Sequence, residues 1–289
     1  MMKALNILLV LAIVLFSSCE EIPHAIDNST SFDSIYVSSS VPSSIVKKVL
    51  VEEWTGVACN NCKDGHEQLS EIYTSSGGRV VAVGMHLVDG FSDPARFPGK
   101  SIDLRPADLD LSTVIGEPGS LPAAIIDRKI FDGEAESIVG LNKWSGLVEG
   151  ALDSIPIVDL SVNVLLYDSV NNQVVFETEA TFTETVSENV AITILIAEDD
   201  VAAPQLDGAT WLKDYEQPHV LRRYVTPNIG KSLNGDINRG TTFLSRFTED
   251  IDPSYDENNL EIVAFVHYQA DPFKGYAVMQ VANAYVGEH

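Results

Sequence analysis

The chain has 289 residues, enough at roughly 100–200 residues per domain for two domains that each bury a core. Hydrophobic residues make up 45% and charged residues 21%, an ordinary globular balance that excludes a disordered chain. The formal net charge of −24 is spread along the chain and not gathered in a tail. Such a field repels nucleic acid, so no nucleic-acid partner is expected.

At the N-terminus, Lys3 precedes an apolar run from Ala4 to Phe16 broken only by Asn6. The run is shorter than the about 20 residues a bilayer span needs, and it fits the apolar core of a secretory signal. Phe16-Ser17-Ser18-Cys19 follows, and small residues ahead of a cysteine resemble a lipobox. Residues 1–18 are therefore expected to be removed, leaving a lipidated Cys19 as the mature N-terminus and as the link to a membrane. An ordinary signal peptide with a chance cysteine is the competing reading. Each buried CH₂ of a lipid chain contributes about 0.8 kcal/mol, so several chains make a durable anchor. Residues 19–44, rich in Ser, Asp and Asn, read as a flexible tether with room for one short strand at Ile35-Tyr36-Val37.

Residues 45–154 carry an alternating α/β pattern. Val46 to Trp54 reads as a strand built on the apolar run Val49-Leu50-Val51, and Thr55-Gly56 breaks it. Cys59-Asn60-Asn61-Cys62 sits at the turn into a helix over Lys63–Ser75, where Cys62, His66, Leu69 and Tyr73 share one face. Gly77-Gly78 closes that helix, and Arg79 to Met85 is a second buried strand. Leu87 to Gly119, with four prolines and many Asp residues, holds short helices and loops. Leu121 to Asp127 is a third strand led by Pro122, with Lys129-Ile130-Phe131 as its candidate partner. Gly140 to Ser154 has helical spacing of Leu141, Trp144, Leu147, Val148 and Leu152.

From residue 155 the texture changes. Ile157 to Tyr167 alternates apolar and polar residues, and six more candidate strands follow with almost no helical periodicity: 174–182, 190–197, 220–225, 241–247, 260–267 and 276–286. Residues 155–289 are therefore expected to form an antiparallel sandwich of immunoglobulin-like size.

Of the three cysteines, Cys59 and Cys62 remain once Cys19 carries lipid. An exported pair meets oxidant. A bridge across so short a loop stabilises little, so the spacing points to chemistry more than scaffolding. The thiolate is the reactive form, and the positive end of a helix lowers a thiol's pKa. Cys59 at the strand–helix turn would be the exposed nucleophile, and Cys62, one turn in, the resolving thiol.

Residues Val49 to Tyr73 resemble the thioredoxin superfamily. By that resemblance Leu121-Pro122 is the cis-proline that lies against the redox pair, and Glu53, six residues before Cys59, is the buried acid that moves the resolving thiol's proton. A surface acid at a strand end is the alternative for Glu53. More narrowly, Val51-Glu52-Glu53-Trp54-Thr55-Gly56 leading into the cysteine pair is similar to the outer membrane protein 28-related family of Gram-negative lipoproteins, as are Gly119 to Arg128 and His219-Val220-Leu221-Arg222-Arg223. The resemblance spans Lys47 to Tyr285. It implies an α/β thioredoxin-like domain followed by an all-β Ig-like sandwich domain, at the outer membrane on its periplasmic face or the cell surface. Asn60-Asn61 departs from the Gly-Pro of thioredoxins, so redox direction stays open.

Three functions are carried forward. The first is a thiol–disulfide oxidoreductase acting on exported protein thiols through Cys59, Cys62, Pro122 and Glu53. The second is a surface binding or assembly lipoprotein that uses a partner protein and keeps a static Cys59–Cys62 disulfide. The third, a metallochaperone, would add His66 and His86 to the cysteines. A sheet-facing His66 would point away from the cysteines' exposed edge, so no metal and no cofactor are expected. Asp250, Asp252 and Asp256 read as a solvated acidic turn: although Glu261 falls at the twelfth position of an EF-hand loop, Tyr255 stands where Gly is required. Arg222 and Arg223, adjacent on a strand, point to opposite faces, which weakens an anion patch with His219. The motifs of nucleotide, serine and zincin hydrolases are absent from the sequence.

Overall fold

The computed structural model describes residues 32–87, 89–106, 111–271 and 274–287. The expected signal sequence, Cys19 and the start of the tether lie outside them. The first half contributes β1 (Phe32–Val37), β2 (Val49–Trp54), α1 (Cys62–Ser75), β3 (Val80–Met85), α2 (Asp89–Ser92), α3 (Ser112–Ile115), β4 (Ala123–Ile126), β5 (Ile138–Gly140) and α4 (Trp144–Leu152). The second half is all strand: β6 (Val158–Asp168), β7 (Gln173–Phe182), β8 (Val190–Glu198), β9 (Val201–Asp207), β10 (Thr210–Gln217), β11 (Val220–Tyr224), β12 (Lys231–Ser232), β13 (Thr241–Asp250), β14 (Leu260–Tyr268) and β15 (Val278–Tyr285).

The expectation of an α/β thioredoxin-like domain is corrected by the topology. Strands β2 to β5 do not close a sheet of their own. They continue a nine-stranded mixed sheet in the order β15-β14-β8-β11-β3-β2-β4-β5, with β12 beside β8. The join is made by β11, which runs parallel to β3 at Val220–Gly84 and antiparallel to β8. The molecule is predominantly β, and two of its four described α-helices have only four residues. The physical reason is burial on both sides. β2 and β3 are buried at every position, so they need cover on two faces. Helices α1 and α4 cover one face, through Leu69, Ile72, Trp144 and Val148 against Val49, Val51, Val80 and Ala82. The other face packs Leu50, Trp54, Val81 and Val83 against Leu195, Val263, Phe265 and Val281 of the sheet's far half.

The sheet reaches itself in this way because it curls. At the β15 end, Gln280 Nε2 donates to Val46 O at 2.9 Å and its Oε1 accepts from Lys48 N at 3.0 Å. Val278 N donates to Asp127 O at 2.7 Å, and a buried Lys47–Asp127 ion pair at 2.7 Å closes the seam. A four-stranded sheet, β1-β13-β7-β6, lies on the outer face of β8, β14 and β15 and completes a sandwich around Phe176, Phe182, Ile194, Ile196 and Ile262. Each such side chain contributes about 1.5–3 kcal/mol of burial. The tether's expected short strand exists as β1, paired with β13.

Smaller differences follow from local packing. Residues Lys129–Phe131 form no strand, and β5 pairs with β4 instead. Ile72, not Tyr73, completes the buried face of α1, and Tyr73 is exposed. The β9–β10 hairpin, a separate two-stranded sheet, was not expected; it connects at Gly208 and packs over the start of α1.

Candidate functional site

Cys59 and Cys62 form a disulfide with Cα atoms 5.4 Å apart. The loop that carries it leaves β2 at Thr55-Gly56. A Cβ at Gly56 would stand 2.8 Å from the Phe91 backbone, so only glycine allows α2 to approach; Ala58 N then donates to Phe91 O at 2.8 Å. Cys62 opens α1, capped by Asn61 without a side-chain bond.

Both cysteines are buried, Cys59 at 1% exposure and Cys62 at 0%. The cover is the β9–β10 hairpin. Leu206 N donates to Val57 O at 2.8 Å and Gly208 N to Asn60 O at 3.0 Å, so the hairpin backbone bonds directly onto the cysteine loop. The buried Gln205 side chain donates to Cys59 O at 2.8 Å and is itself held by Gln217 at 3.1 Å. The exposed nucleophile expected of Cys59 is thus a covered sulfur in this state.

Beneath the pair, Gly65 is the point of convergence. A Cβ there would meet Glu53 Oε1 at 2.5 Å, Trp144 at 3.1 Å and Pro122 Cβ at 3.2 Å. Glu53 and Pro122 therefore both reach the first turn of α1, and the Leu121–Pro122 bond is cis. Glu53 is buried, not a surface acid, and its Oε1 makes no hydrogen bond. Burial pushes its carboxyl well above the ordinary range.

His66 lies 3.9 Å from Glu53 Oε1. Its two nitrogens are taken by the Thr55 hydroxyl and the Tyr215 hydroxyl, each at 2.9 Å, and Tyr215 stacks on its ring. Burial lowers its pKa to about 3, and burial lowers that of His86 to about 4, so both are neutral. With both His66 nitrogens engaged, the ring has no lone pair turned to the sulfurs.

The acidic loop behaves as a set of turns. Asp252 accepts from Ser254 N at 2.9 Å, Asp256 from Asn258 N at 3.0 Å, and Asp250 from Gln173 Nε2 at 2.8 Å. Arg222 pairs with Glu198 at 2.7 Å and Arg223 with Glu249 at 2.9 Å, so neither is free to bind an anion with His219. The hairpin is the part of the site that sequence reasoning missed. Its signal was Asp207-Gly208, a turn dipeptide between two strand-like runs, masked by Pro204 within the first run.

A predominantly β protein with a covered disulfide is the class these features define. The chain belongs to the family described as outer membrane protein Omp28, whose family model matches residues 112–289, and that family places it at the outer membrane. Two solved structures are similar in fold. HBP35 of Porphyromonas gingivalis superposes with a TM-score of 0.66 at 14% identity, covering 85% of this chain and 77% of that one. A structural-genomics protein of Agrobacterium tumefaciens superposes with a TM-score of 0.52 at 12% identity, covering 86% of this chain and 98% of that one. No curated protein matches the chain. Among the described residues no helix is long and apolar enough to cross a membrane.

Proposed function

We propose that the chain is a binding or assembly protein of the outer membrane, attached through lipid on Cys19, in which the Cys59–Cys62 disulfide is a static brace. The observation that carries the static role is the burial of both cysteines beneath the β9–β10 hairpin, whose backbone is bonded to residues 57 and 60. A disulfide exchanges only by in-line attack on sulfur, so a covered pair is inert until its cover leaves. The bridge ties the turn to α1 at the place where the hairpin docks. Binding then falls to the strand-rich remainder of the molecule and to a partner protein. A Cys59→Ser/Cys62→Ser double variant is expected to keep its partner and surface binding, and wild type and Cys59→Ser are expected to reduce insulin at the same background rate. Faster turnover by wild type ends the static role. For the anchor, Cys19→Ala is expected to lose palmitate labelling and detergent-phase partitioning.

A second function is favoured by one specific feature, the buried Glu53 carboxyl beside the first turn of α1, whose pKa burial raises and whose Oε1 makes no hydrogen bond. If the hairpin lifts, a thiolate of an exported protein dithiol can attack Cys59 Sγ. The Cys59–Cys62 bond breaks, Cys62 leaves with the electron pair, and Glu53 supplies its proton. A second thiolate of the same protein then releases Cys59, so the partner dithiol is oxidised and the pair reduced. Loss of exchange in Glu53→Gln, with alkylation of the reduced pair unchanged, separates this proton role from a structural one.

A further inference from the structure

We propose that Asp199, His219 and Glu261 form a binding site for one divalent first-row metal ion, of the class of Zn²⁺. Asp199 follows β8, His219 precedes β11 and Glu261 is the second residue of β14. The strand registers bring them together. Val220 and Leu260 both pair with Glu198, one from each side, and Glu261 pairs with Ala197. Residues 197 and 199 share a face by pleat parity, so Asp199, its cross-strand neighbour His219 and the diagonal Glu261 project from the same face of the sheet. Their ligating atoms all lie within 4.8 Å of one another.

The three side chains are also aimed. The Tyr285 hydroxyl donates to Asp199 Oδ2 at 2.7 Å, His219 N donates to Asp199 Oδ1 at 2.7 Å, and Asn283 Nδ2 donates to Glu261 Oε1. Lys48 fixes Asn283 in turn at 2.8 Å. Such outer bonds orient metal-binding carboxylates. His219 sits at a φ of 51°, a conformation rare outside glycine, pinned by the bond from Gly84 N to its carbonyl at 2.7 Å. Its ring Nδ1 is 2.7 Å from Asp199 Oδ1, an ion pair when the imidazole is protonated, and makes no hydrogen bond, so a metal ion would take the place of that proton.

Glu261 supplies the independent observation. It is 4% exposed, and among the described residues no Lys or Arg forms an ion pair with it. A carboxylate buried in that way is favoured in its charged form by a bound cation. One imidazole nitrogen with two carboxylates suits a borderline divalent ion better than a soft thiolate-seeking one or a purely oxygen-bound one. Three protein donors leave a fourth position open for water or a partner's side chain. Asp199 and His219 are only half-buried, which gives the ion an entry.

Titration calorimetry of the untagged full chain with Zn²⁺ alone tests the site. One saturable equivalent is expected in wild type, weakened by at least about tenfold in His219→Ala and in Glu261→Gln. Absence of a saturable equivalent, or variants that bind as tightly as wild type, overturns it. X-ray absorption at the zinc edge of loaded wild type needs no variant to fold. One imidazole with oxygen donors is expected, and a shell with sulfur or with two or more imidazoles overturns the assignment.

Discussion

Glu52 and Glu53 are neighbours on β2, both buried, and their side chains leave opposite faces of the nine-stranded sheet. On the inner face Glu52 receives two bonds from the buried Arg128, at 2.7 and 2.6 Å, and the guanidinium lies 4.7 Å over the Phe265 ring. On the helix face Glu53 meets Gly65, with His66 at 3.9 Å and no hydrogen bond to Oε1. One acid is compensated by a fixed cation, and in the other burial favours the protonated form. The pair shows how one strand can carry a structural ion pair and a poised proton side by side. The strand's pleat alone separates the two environments.

The comparison breaks most visibly at Glu52. Glu52→Gln leaves the Arg128 charge buried without its partner and is expected to cost about 3–5 kcal/mol in urea unfolding. Replacing both residues together, as Glu52→Leu with Arg128→Met, is expected to recover most of that loss. A single-variant cost below about 1 kcal/mol would mean that Arg128 finds other partners on the inner face. Gly65→Ala comes next. Its Cβ would crowd Glu53, Trp144 and Pro122 together, an overpacking cost of about 1–3 kcal/mol. Adding Glu53→Ala is expected to return part of it, because the tightest of the three approaches is to Glu53 Oε1 at 2.5 Å.

Glu53 itself sharpens the contrast through pH. Its folded pKa is raised, so its contribution is full below the unfolded carboxyl value near 4.3 and is lost as pH rises towards the folded pKa. The stability difference between Glu53→Gln and wild type is therefore expected to move in the variant's favour as pH rises from 4 to 7, by at most about 1.4 kcal/mol per pH unit. A pH-independent difference would mean that Glu53 is charged in the fold. His66 works in the other direction. Its pKa falls to about 3, so its contribution is full above about 6.5 and is lost as pH drops below that.

How much of this was legible in the sequence depends on the range of the interaction. The apolar run of β2, the helix after Cys62 and the alternation of β6 and β7 are local patterns, and each became the expected element. The family similarity on residues 119–128 and 219–223 agrees with the family match over residues 112–289. The sheet that joins the two halves was not legible. It depends on Val220 pairing with Gly84 across 136 residues, and no local pattern encodes such a pairing. The same is true of Glu52. Its partner Arg128 lies on a turn with φ of 48°, one residue after Asp127 at 47°, and nothing nearby in sequence marks the pair. Asp199, His219 and Glu261 come from three strand ends, so their convergence also became visible only in the fold.

Tyr215 offers the smallest and most local test of the helix face. Its hydroxyl bonds His66 Nδ1 at 2.9 Å, and the hairpin that carries it covers the cysteines. Tyr215→Phe removes that bond but keeps the ring stacked on His66. A loss of about 0.5–1.5 kcal/mol is expected, with most of it felt as looser docking of the hairpin. The hairpin rests on a small apolar cluster of Val57, Leu104, Val201, Ala203 and Val220. Reduction of the Cys59–Cys62 bond by dithiothreitol under native conditions should accelerate in Tyr215→Phe, while the unfolding midpoint moves little. If both change in proportion, the disulfide is exposed only by global unfolding, and the hairpin is a fixed part of the core and not a separable cover.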